Sequence, residues 1–268
     1  MKIGIVGFGK MGMKIAKRVL DEERELACVI DMPEHPGKNK DIGLLLGKDP
    51  IGVPLSSVED LKEMIKKTEP DIMIDFSSPE SCVANTEIIA ENKINMIIGT
   101  TGFTEDQLNL VKTSILKHGI GAVISPNMSI GVNIFWKLAS DAAKLLKNYD
   151  IEIIEAHHIL KKDAPSGTAK KTGEVIADAL NEKFDDVAVY GRSGIKQRKD
   201  GEIGVHSIRA GDIIGDHTVL FGTLGERIEI THRAHSRDVF VSGTMKAAEF
   251  IVGRSGIYNM NDVLKLNE

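Results

Sequence analysis

Short aliphatic runs alternate with amphipathic stretches through the first half of the chain, and this alternation limits the possible folds more than any other feature. Five runs are too short for free-standing helices and predict buried strands: residues 2–6, 26–30, 71–75, 95–98 and 121–124. Four stretches between them have apolar residues three and four positions apart, which predicts helices: residues 11–20, 58–67, 79–91 and 104–117. Repeated strand and helix units predict a mostly parallel sheet covered by helices on both sides, with ligands at the carboxyl ends of its strands.

The pattern changes past residue 128. Residues 129–147 predict one long helix, with an apolar stripe formed by Ile130, Ile134, Leu138, Ala142 and Leu145. Residues 167–180 predict another helix, and residues 239–252 a third. The remaining segments are rich in strand-forming residues and are separated mainly by turns: 150–156, 187–190, 203–209, 217–222 and 227–233. They predict a mixed or antiparallel sheet.

A length of 268 residues is enough for about two domains. We therefore expect an α/β fold in which residues 1–127, completed by residues 239–268, form a Rossmann-like parallel-sheet domain. Residues 128–238 form a second, α+β domain with the mixed or antiparallel sheet. Residues 32–56 hold four prolines among several glycines and predict a loop.

Composition excludes several classes of protein. A net charge of -5 with only 4% aromatic residues disfavours nucleic-acid binding. Cys28 and Cys82 lack CxxC spacing, and His232 and His235 would face opposite sides of a strand, so we expect no metal site. No stretch approaches the roughly 18 apolar residues of a membrane-spanning helix, and the amino terminus does not resemble a signal peptide. These features predict a soluble cytoplasmic protein without a membrane partner.

A glycine-rich loop follows the first predicted strand and begins the first predicted helix. Its residues Gly7, Phe8, Gly9, Lys10, Met11 and Gly12 fit the G-x-G-x-x-G pattern of dinucleotide-binding sites. The first glycine permits a sharp turn, the second permits close approach of a pyrophosphate, and the third permits tight packing of helix on strand. Asp31 ends the second strand, where a carboxylate can accept hydrogen bonds from a ribose. Its charge would repel a 2′-phosphate, which favours NADH over NADPH, although Lys10 and Lys38 offer compensating positive charge.

Two further segments lie at predicted carboxyl ends of strands, where the nicotinamide half of a dinucleotide would bind. Residues Gly99, Thr100 and Thr101 follow the fourth strand, and residues Ser125, Pro126, Asn127 and Met128 follow the fifth. The alternative is that both segments are ordinary turns, since Gly, Pro and Asn commonly form them.

Residues 155–168 carry the densest group of chemically active side chains. Histidine and lysine transfer protons to substrates, and His157, His158 and Lys161 lie within five positions. Gly167 and Thr168 begin the next predicted helix, whose free N–H groups suit a carboxylate. Adjacent strand residues point to opposite faces, so the two histidines can share one ligand only if the strand ends or bends there. The alternative is a strand-ending histidine pair bonded to backbone, followed by solvated lysines.

This segment resembles the signature of the dihydrodipicolinate reductase family in Glu155-Ala156-His157-His158-x-x-Lys161-x-Asp163-Ala164-Pro165-Ser166-Gly167-Thr168-Ala169. Other blocks resemble that family in the same order and span nearly the whole chain: Ile74-Asp75-Phe76, residues 98–103, residues 127–133, Arg209-Ala210-Gly211-Asp212 and residues 225–232. Many members have an extra residue and an arginine in the glycine loop, which is shorter here.

The resemblance implies NAD(P)H-dependent reduction of 4-hydroxy-tetrahydrodipicolinate in diaminopimelate and lysine biosynthesis. His157 and Lys161 match the family's catalytic residues, and His158, Gly167 and Thr168 match groups that hold the substrate carboxylates. The family's cofactor site is matched by Gly7 to Gly12, Asp31, Gly99 to Thr101 and Ser125 to Met128. The family forms homotetramers through the sheet of its second domain, which makes that domain the expected site of substrate binding and oligomerisation.

Two other functions are compatible with the same scaffold. One is a different NAD(P)-dependent imine or amino-acid dehydrogenase, which the family signature disfavours. The other is a non-enzymatic sensor of NADH, which would need no proton donor beside an anion site.

Overall fold

Seven parallel strands form one sheet in the first unit of the chain. They are β1 (Lys2–Val6), β2 (Glu25–Asp31), β3 (Leu55–Ser57), β4 (Ile72–Asp75), β5 (Asn95–Ile98), β6 (Gly121–Ile124) and β12 (Gly256–Tyr258). Their order is β12-β6-β5-β4-β1-β2-β3, and every neighbouring pair runs parallel. The predicted parallel sheet is confirmed. The strand order reverses between β1 and β4, and ligands bind at such a switch point in sheets of this type.

Among the residues that the structure describes, seven helices belong to this unit, and most of them lie between successive strands of its sheet. They are α1 (Lys10–Asp21), α2 (Ile42–Leu45), α3 (Leu61–Thr68), α4 (Pro79–Glu91), α5 (Glu105–His118), α9 (Asp238–Ile251) and α10 (Met260–Leu264). Local sequence fixes several of their starts. The Ser78 side chain accepts the Ser81 N–H at the start of α4, and Thr104 and Gln107 form a capping box at the start of α5.

The computed structural model describes residues 1–266. The first unit is Met1–Ser129 together with the chain from Phe240 onward, and the second is Ile130–Val239. The last two residues of the segment 239–268 lie outside the described residues. Among the described residues, no helix is both long and apolar enough to cross a membrane.

Aliphatic side chains fill the first unit on both faces of its sheet. Cys28 on β2 and Cys82 on α4 belong to this core, and both are free thiols with no exposed surface. The Asn95 side chain joins the end of the chain to the sheet. It donates to the backbone carbonyls of Ile251 and Arg254 and accepts the Gly121 N–H at 2.7 Å.

A five-stranded mixed sheet forms the second unit. Its strands are β7 (Asp150–His157), β8 (Ala188–Tyr190), β9 (Ile203–Arg209), β10 (Gly215–Thr223) and β11 (Glu226–Ala234), in the order β11-β10-β7-β9-β8. Strand β10 runs antiparallel to β7 and β11, whereas β9 runs parallel to β7 and β8. The helices are α6 (Ile130–Leu145), α7 (Gly167–Ala179) and α8 (Phe184–Val187).

One face of this sheet is covered by helices. Helix α7 packs on β7 and β9, and α6 packs on α7 and β11. On β7 the residues that face the helices are buried, namely Ile151, Ile153, Glu155 and His157. Two acid/base residues therefore lie on the covered face, two positions apart on one strand.

The structure corrects the predicted stripe of α6. Ile134, Leu138 and Leu145 are exposed, and the buried residues are instead Val132, Asn133, Phe135, Trp136, Ala139 and Ala143. Apolar residues occur on both sides of this helix, so spacing alone did not identify the packed side.

The predicted loop at residues 32–56 is also wrong in part, because it contains α2 and the start of β3. The Asp41 carboxylate shapes this segment. It accepts the Leu44 N–H at the start of α2 and the N–H groups of Ile51 and Gly52. The bonds to Ile51 and Gly52 join residues ten and eleven positions apart, which a local pattern does not reveal.

Candidate active site

Glycine is required at two positions of the loop after β1. Gly7 has a φ of +90°, and a Cβ there would collide with the Phe76 carbonyl. A Cβ on Gly12 would lie far inside van der Waals contact with the Gly7 carbonyl oxygen. A Cβ on Gly9 would instead meet nothing within 4 Å. The loop is thus closed tightly around Gly7 and Gly12 and open above Gly9.

This loop fits a dinucleotide pyrophosphate. Gly9 is the N-cap of α1 and has no side chain to occupy the first-turn N–H groups, so they are available to an anion. The Phe8 ring is buried, and the backbone N–H of Phe8 donates to the Asp31 carboxylate. The same carboxylate also accepts the Met32 N–H at 2.6 Å. A carboxylate has about four acceptor positions. Asp31 can therefore bond a ribose while it holds the loop.

A buried carboxylate organises the next part of the sheet edge. Asp75 ends β4 and accepts the Ser77 N–H at 3.0 Å, the Ser77 hydroxyl at 2.7 Å and the Thr100 hydroxyl at 2.8 Å. Burial raises the pKa of Asp75, against the opposing effect of these bonds. The Thr100 side chain is consequently committed to the protein, whereas Thr101 is exposed. Sequence reasoning did not assign Asp75, although an acid at the end of an aliphatic strand was a usable signal.

The segment after β6 is a tight polar turn. The Ser125 hydroxyl donates to the Asn127 carbonyl at 2.8 Å, and Asn127 Oδ1 accepts the Ser129 N–H at 2.9 Å. Ser125 and Met128 are buried, whereas Pro126 is exposed. Of the sequence-predicted cofactor residues, Phe8, Ser125 and Met128 can therefore offer mainly backbone groups to a ligand.

In the second unit, His157 is held by a buried carboxylate. Its Nδ1 lies 2.5 Å from Glu155 Oε2. The Arg209 guanidinium donates to both oxygens of Glu155, at 2.9 and 2.8 Å, and the Ser166 N–H donates to Oε1 at 3.1 Å. Burial alone would raise the pKa of Glu155, but the bonds from His157 and Arg209 outweigh it and lower that pKa well below its usual range. Glu155 is therefore ionised.

The predicted substrate residues surround the connection between β7 and α7. Strand β7 ends at His157, so the direction of His158 is not set by strand alternation. The Nδ1 atom of His158 is buried and has no partner among the described residues. Lys161 Nζ lies 2.9 Å from Asp163 Oδ1, and its side chain is 22% exposed. His157 and Lys161, the two residues predicted to transfer protons, therefore lie in one short stretch of chain.

Helix α7 presents its N-terminus at the end of that connection. The Ser166 hydroxyl accepts the Ala169 N–H at 3.2 Å and caps the helix. Gly167 is exposed, and a Cβ there would meet nothing within 4 Å. Trp136 fixes the first turn from the core side, since its Nε1 donates to the Thr172 hydroxyl at 3.1 Å. The helix start is thus rigid and open at Gly167, as an anion site requires.

His217 on β10 adds a second buried histidine. Its Nε2 lies 3.3 Å from the Ser166 hydroxyl, and its ring centre lies 5.2 Å from that of His157. Burial, reinforced by repulsion from His157, lowers the pKa of His217 from 6.5 to about 3. His217 is therefore neutral at neutral pH. His232, its cross-strand neighbour, also has a lowered pKa because of burial.

We expect acid to destabilise the protein through His217. Between pH 6.5 and about 3 the unfolded chain binds a proton that folded His217 does not bind, so the free energy of unfolding decreases as the pH falls. Urea denaturation at several pH values measures this slope. Replacing His217 by glutamine should reduce the slope of the unfolding free energy against pH by at most about 1.4 kcal/mol per pH unit, which is the value for one proton. The exposed His235→Gln variant is the control, and an unchanged slope in His217→Gln would refute the assignment.

Sequence reasoning missed Glu155, Arg209 and His217 as site residues. The spacing of Glu155 and His157 was a usable signal, since residues two apart on a strand share a face. Arg209 lies opposite His157 in the β7 and β9 register, which the sequence does not give.

Comparisons with known proteins match both units of the chain. The pattern described as dihydrodipicolinate reductase, N-terminus, matches residues 1–128, and that described as dihydrodipicolinate reductase, C-terminus, matches residues 131–264. A 4-hydroxy-tetrahydrodipicolinate reductase from Methanocaldococcus jannaschii is 48% identical over 272 residues, covering 100% of this chain and 98% of the relative. One from Methanothermobacter thermautotrophicus is 45% identical over 274 residues, with 100% of each chain covered.

Solved structures agree with these matches. A dipicolinate-bound dihydrodipicolinate reductase from Paenisporosarcina sp. TG-14 superposes with a TM-score of 0.76 at 28% identity, covering 97% of each chain. An amine dehydrogenase from Mycobacterium smegmatis superposes with a TM-score of 0.59 at 14% identity, covering 97% of this chain and 95% of that one. The second likeness concerns the fold alone.

Proposed function

This chain belongs to the dihydrodipicolinate reductase family, and from that premise we propose which of its residues bind the ligands and move the protons. It is an NAD(P)H-dependent oxidoreductase that reduces 4-hydroxy-tetrahydrodipicolinate, a step of diaminopimelate and lysine biosynthesis. One observation in the second unit supports these roles most directly. A histidine bonded to a buried carboxylate lies on the strand that leads to an open helix N-terminus.

The first unit holds the nicotinamide cofactor, which supplies a hydride when bound. The N–H groups at the start of α1 bind the pyrophosphate over Gly9, and Asp31 bonds the adenosine ribose. The backbone of Gly99 to Thr101 and of Ser125 to Met128 lines the nicotinamide half. The hydrogen bonds that Asp75 accepts from Ser77 and Thr100 stabilise the conformation of this edge of the sheet.

The second unit holds and protonates the substrate. The N–H groups of Gly167 and Thr168 at the start of α7 bind one substrate carboxylate, and His158 assists. The C4 hydroxyl must leave as water before hydride is transferred to C4 of the unsaturated ring, and that transfer leaves negative charge on the ring that must be neutralised. Lys161 or His157 donates the neutralising proton. Glu155 holds the Nδ1–H of His157, so Nε2 is the atom that exchanges a proton with a ligand.

A coupled assay tests this function. Dihydrodipicolinate synthase makes the substrate from pyruvate and aspartate semialdehyde, and the loss of reduced-nicotinamide absorbance is followed. Oxidation that requires both the substrate and this protein is the expected result. No oxidation by folded protein that binds the cofactor would point to another imine or amino-acid reductase.

We expect NADH to be preferred over NADPH. The Asp31 carboxylate would repel a 2′-phosphate, and the next residue, Met32, carries no charge. The KM for NADH should be lower than that for NADPH, and Asp31→Asn should narrow the difference. Glu34→Gln, an exposed acid three positions further on, is the control. A lower KM for NADPH in the wild type would show that the charge of Lys10 and Lys38 outweighs that of Asp31.

The uncovered sheet face supports a homotetramer. Helices α6 and α7 pack on one face of the second sheet, whereas Ile208 on β9, in register with Ala156 on the other face, is exposed, as is Leu224 at the hairpin tip. Burying such groups against other copies is favourable. A sedimentation mass near that of one 29.2 kDa chain would exclude this assembly. We also propose that the protein is located in the cytoplasm.

A further inference from the structure

The Glu155 carboxylate contacts both parts of the proposed substrate site, namely His157 and the N-terminus of α7. It is 0% exposed, and its two oxygens accept from His157, from the Ser166 backbone and from both terminal nitrogens of Arg209. We propose that Glu155 is a positioning residue that sets His157 and the start of α7 in one fixed geometry. This inference rests on the proposed function of the second unit, in which His157 exchanges a proton and α7 binds the substrate carboxylate.

The first part of the argument concerns the histidine. Oε2 of the ionised Glu155 accepts a hydrogen bond from Nδ1–H at 2.5 Å, so Nδ1 keeps its proton and the proton that His157 exchanges with a ligand is carried on Nε2. Nε2 makes no hydrogen bond within residues 1–266, and the side chain is 11% exposed. A proton-transfer group that is restricted to one ring orientation needs no rearrangement before proton transfer.

The second part concerns the helix. Oε1 of the same carboxylate accepts the Ser166 N–H at 3.1 Å. Ser166 is the N-cap of α7, and its hydroxyl accepts the Ala169 N–H, so its backbone direction determines where the N–H groups of Gly167 and Thr168 point. Because the two oxygens belong to one rigid group, the base and the anion site cannot shift independently.

Arg209 makes this burial of charge possible. A buried carboxylate without a cation is costly, and the guanidinium meets it through two parallel N–H bonds. The same guanidinium donates to the backbone carbonyls of Asp163 and Ile208, at 2.6 and 2.7 Å. It thereby ties Glu155 to the connection that carries Lys161.

Glu155→Gln tests the proposal with little change of shape. Glutamine has one acceptor oxygen and one amide NH2, so it cannot accept from both His157 and Ser166. We expect kcat to fall by about 10³-fold, as when an orienting carboxylate is removed from a catalytic histidine. Binding of dipicolinate, a planar dicarboxylate probe, should weaken by about tenfold because the start of α7 loses its fixed position. The KM for the reduced nicotinamide should be unchanged.

Glu87→Gln is the matched control. Glu87 lies on α4 in the first unit, and its carboxylate lies 3.3 Å from His118 Nε2 and accepts from the Ser114 hydroxyl at 2.5 Å. The control removes the same kind of bond and should retain the wild-type kcat. An equal loss of kcat in both variants would mean that the ion pair of Glu155 has only a structural role, and it would overturn the proposal.

Nitrogen-15 NMR of the histidine-labelled full chain gives a readout that structural support alone would not move. In the neutral form of His157 the wild type should show the proton on Nδ1, and Glu155→Gln should shift the tautomer population towards Nε2–H. His157→Gln assigns the signal. A wild-type Nε2–H tautomer would overturn the proposal even if Glu155→Gln does not fold. Failure of the proposed function is distinct, since it would appear as an inactive wild type in the coupled assay.

Discussion

Replacing Lys161 by alanine is expected to lower kcat by about 10²- to 10⁴-fold, the usual contribution of a proton-transfer group. Lys161 contributes an ammonium group to the connection between His157 and the start of α7, and its one described ion pair is with Asp163. Alanine removes a proposed proton donor together with its charge. The proposed substrate site is affected directly, whereas the glycine loop proposed to bind the cofactor belongs to the other unit.

The measurement compares steady-state kinetics with cofactor binding by fluorescence titration. The dissociation constant of the reduced nicotinamide should stay within about twofold, because ground-state cofactor binding does not use Lys161. Lys162→Ala removes an exposed neighbouring lysine and serves as the control. Parallel losses of kcat and cofactor affinity in Lys161→Ala would contradict a catalytic role.

Gly12→Ala is expected to abolish measurable cofactor binding and to lower the free energy of unfolding by about 1 to 3 kcal/mol, the cost of overpacking. The new Cβ would collide with the Gly7 carbonyl oxygen. Helix α1 or the loop must move to admit it, and either movement displaces the N–H groups that face the pyrophosphate. Urea denaturation and fluorescence titration measure the two effects separately.

Gly9→Ala is the informative comparison for this prediction. It adds the same methyl group where nothing lies within 4 Å. The variant should fold with wild-type stability and still bind the cofactor poorly, because the methyl group occupies the space above the loop. Normal cofactor binding by Gly12→Ala would mean that the loop tolerates a different shape, and the assigned role of Gly12 would be wrong.

The parallel sheet was predictable because most of its strands are short runs dominated by aliphatic residues. Helix α4 begins and ends where the sequence predicted, since Ser78 and Pro79 mark its start. Strand β12 was missed because its three residues become a strand only by pairing with β6. The packed side of α6 was mistaken because both sides of that helix are apolar.

The substrate site was predicted in part for a similar reason. His157, Lys161, Gly167 and Thr168 lie in one segment, so their proximity is local and visible in the sequence. Arg209 and His217 arrive on β9 and β10, about fifty positions further along the chain. Their contacts with Glu155 and Ser166 depend on strand register, which is a property of the folded sheet.

Both thiols of the chain lie in the core of the first unit, and this gives the protein a built-in chemical reporter. Burial raises the pKa of the Cys28 thiol to about 11 and that of Cys82 further still, so neither forms the reactive thiolate while that core is closed. An alkylating reagent can modify them only during transient openings. Since no cysteine occurs in residues 130–239, the rate of modification reports openings of the first unit and is insensitive to openings of the second.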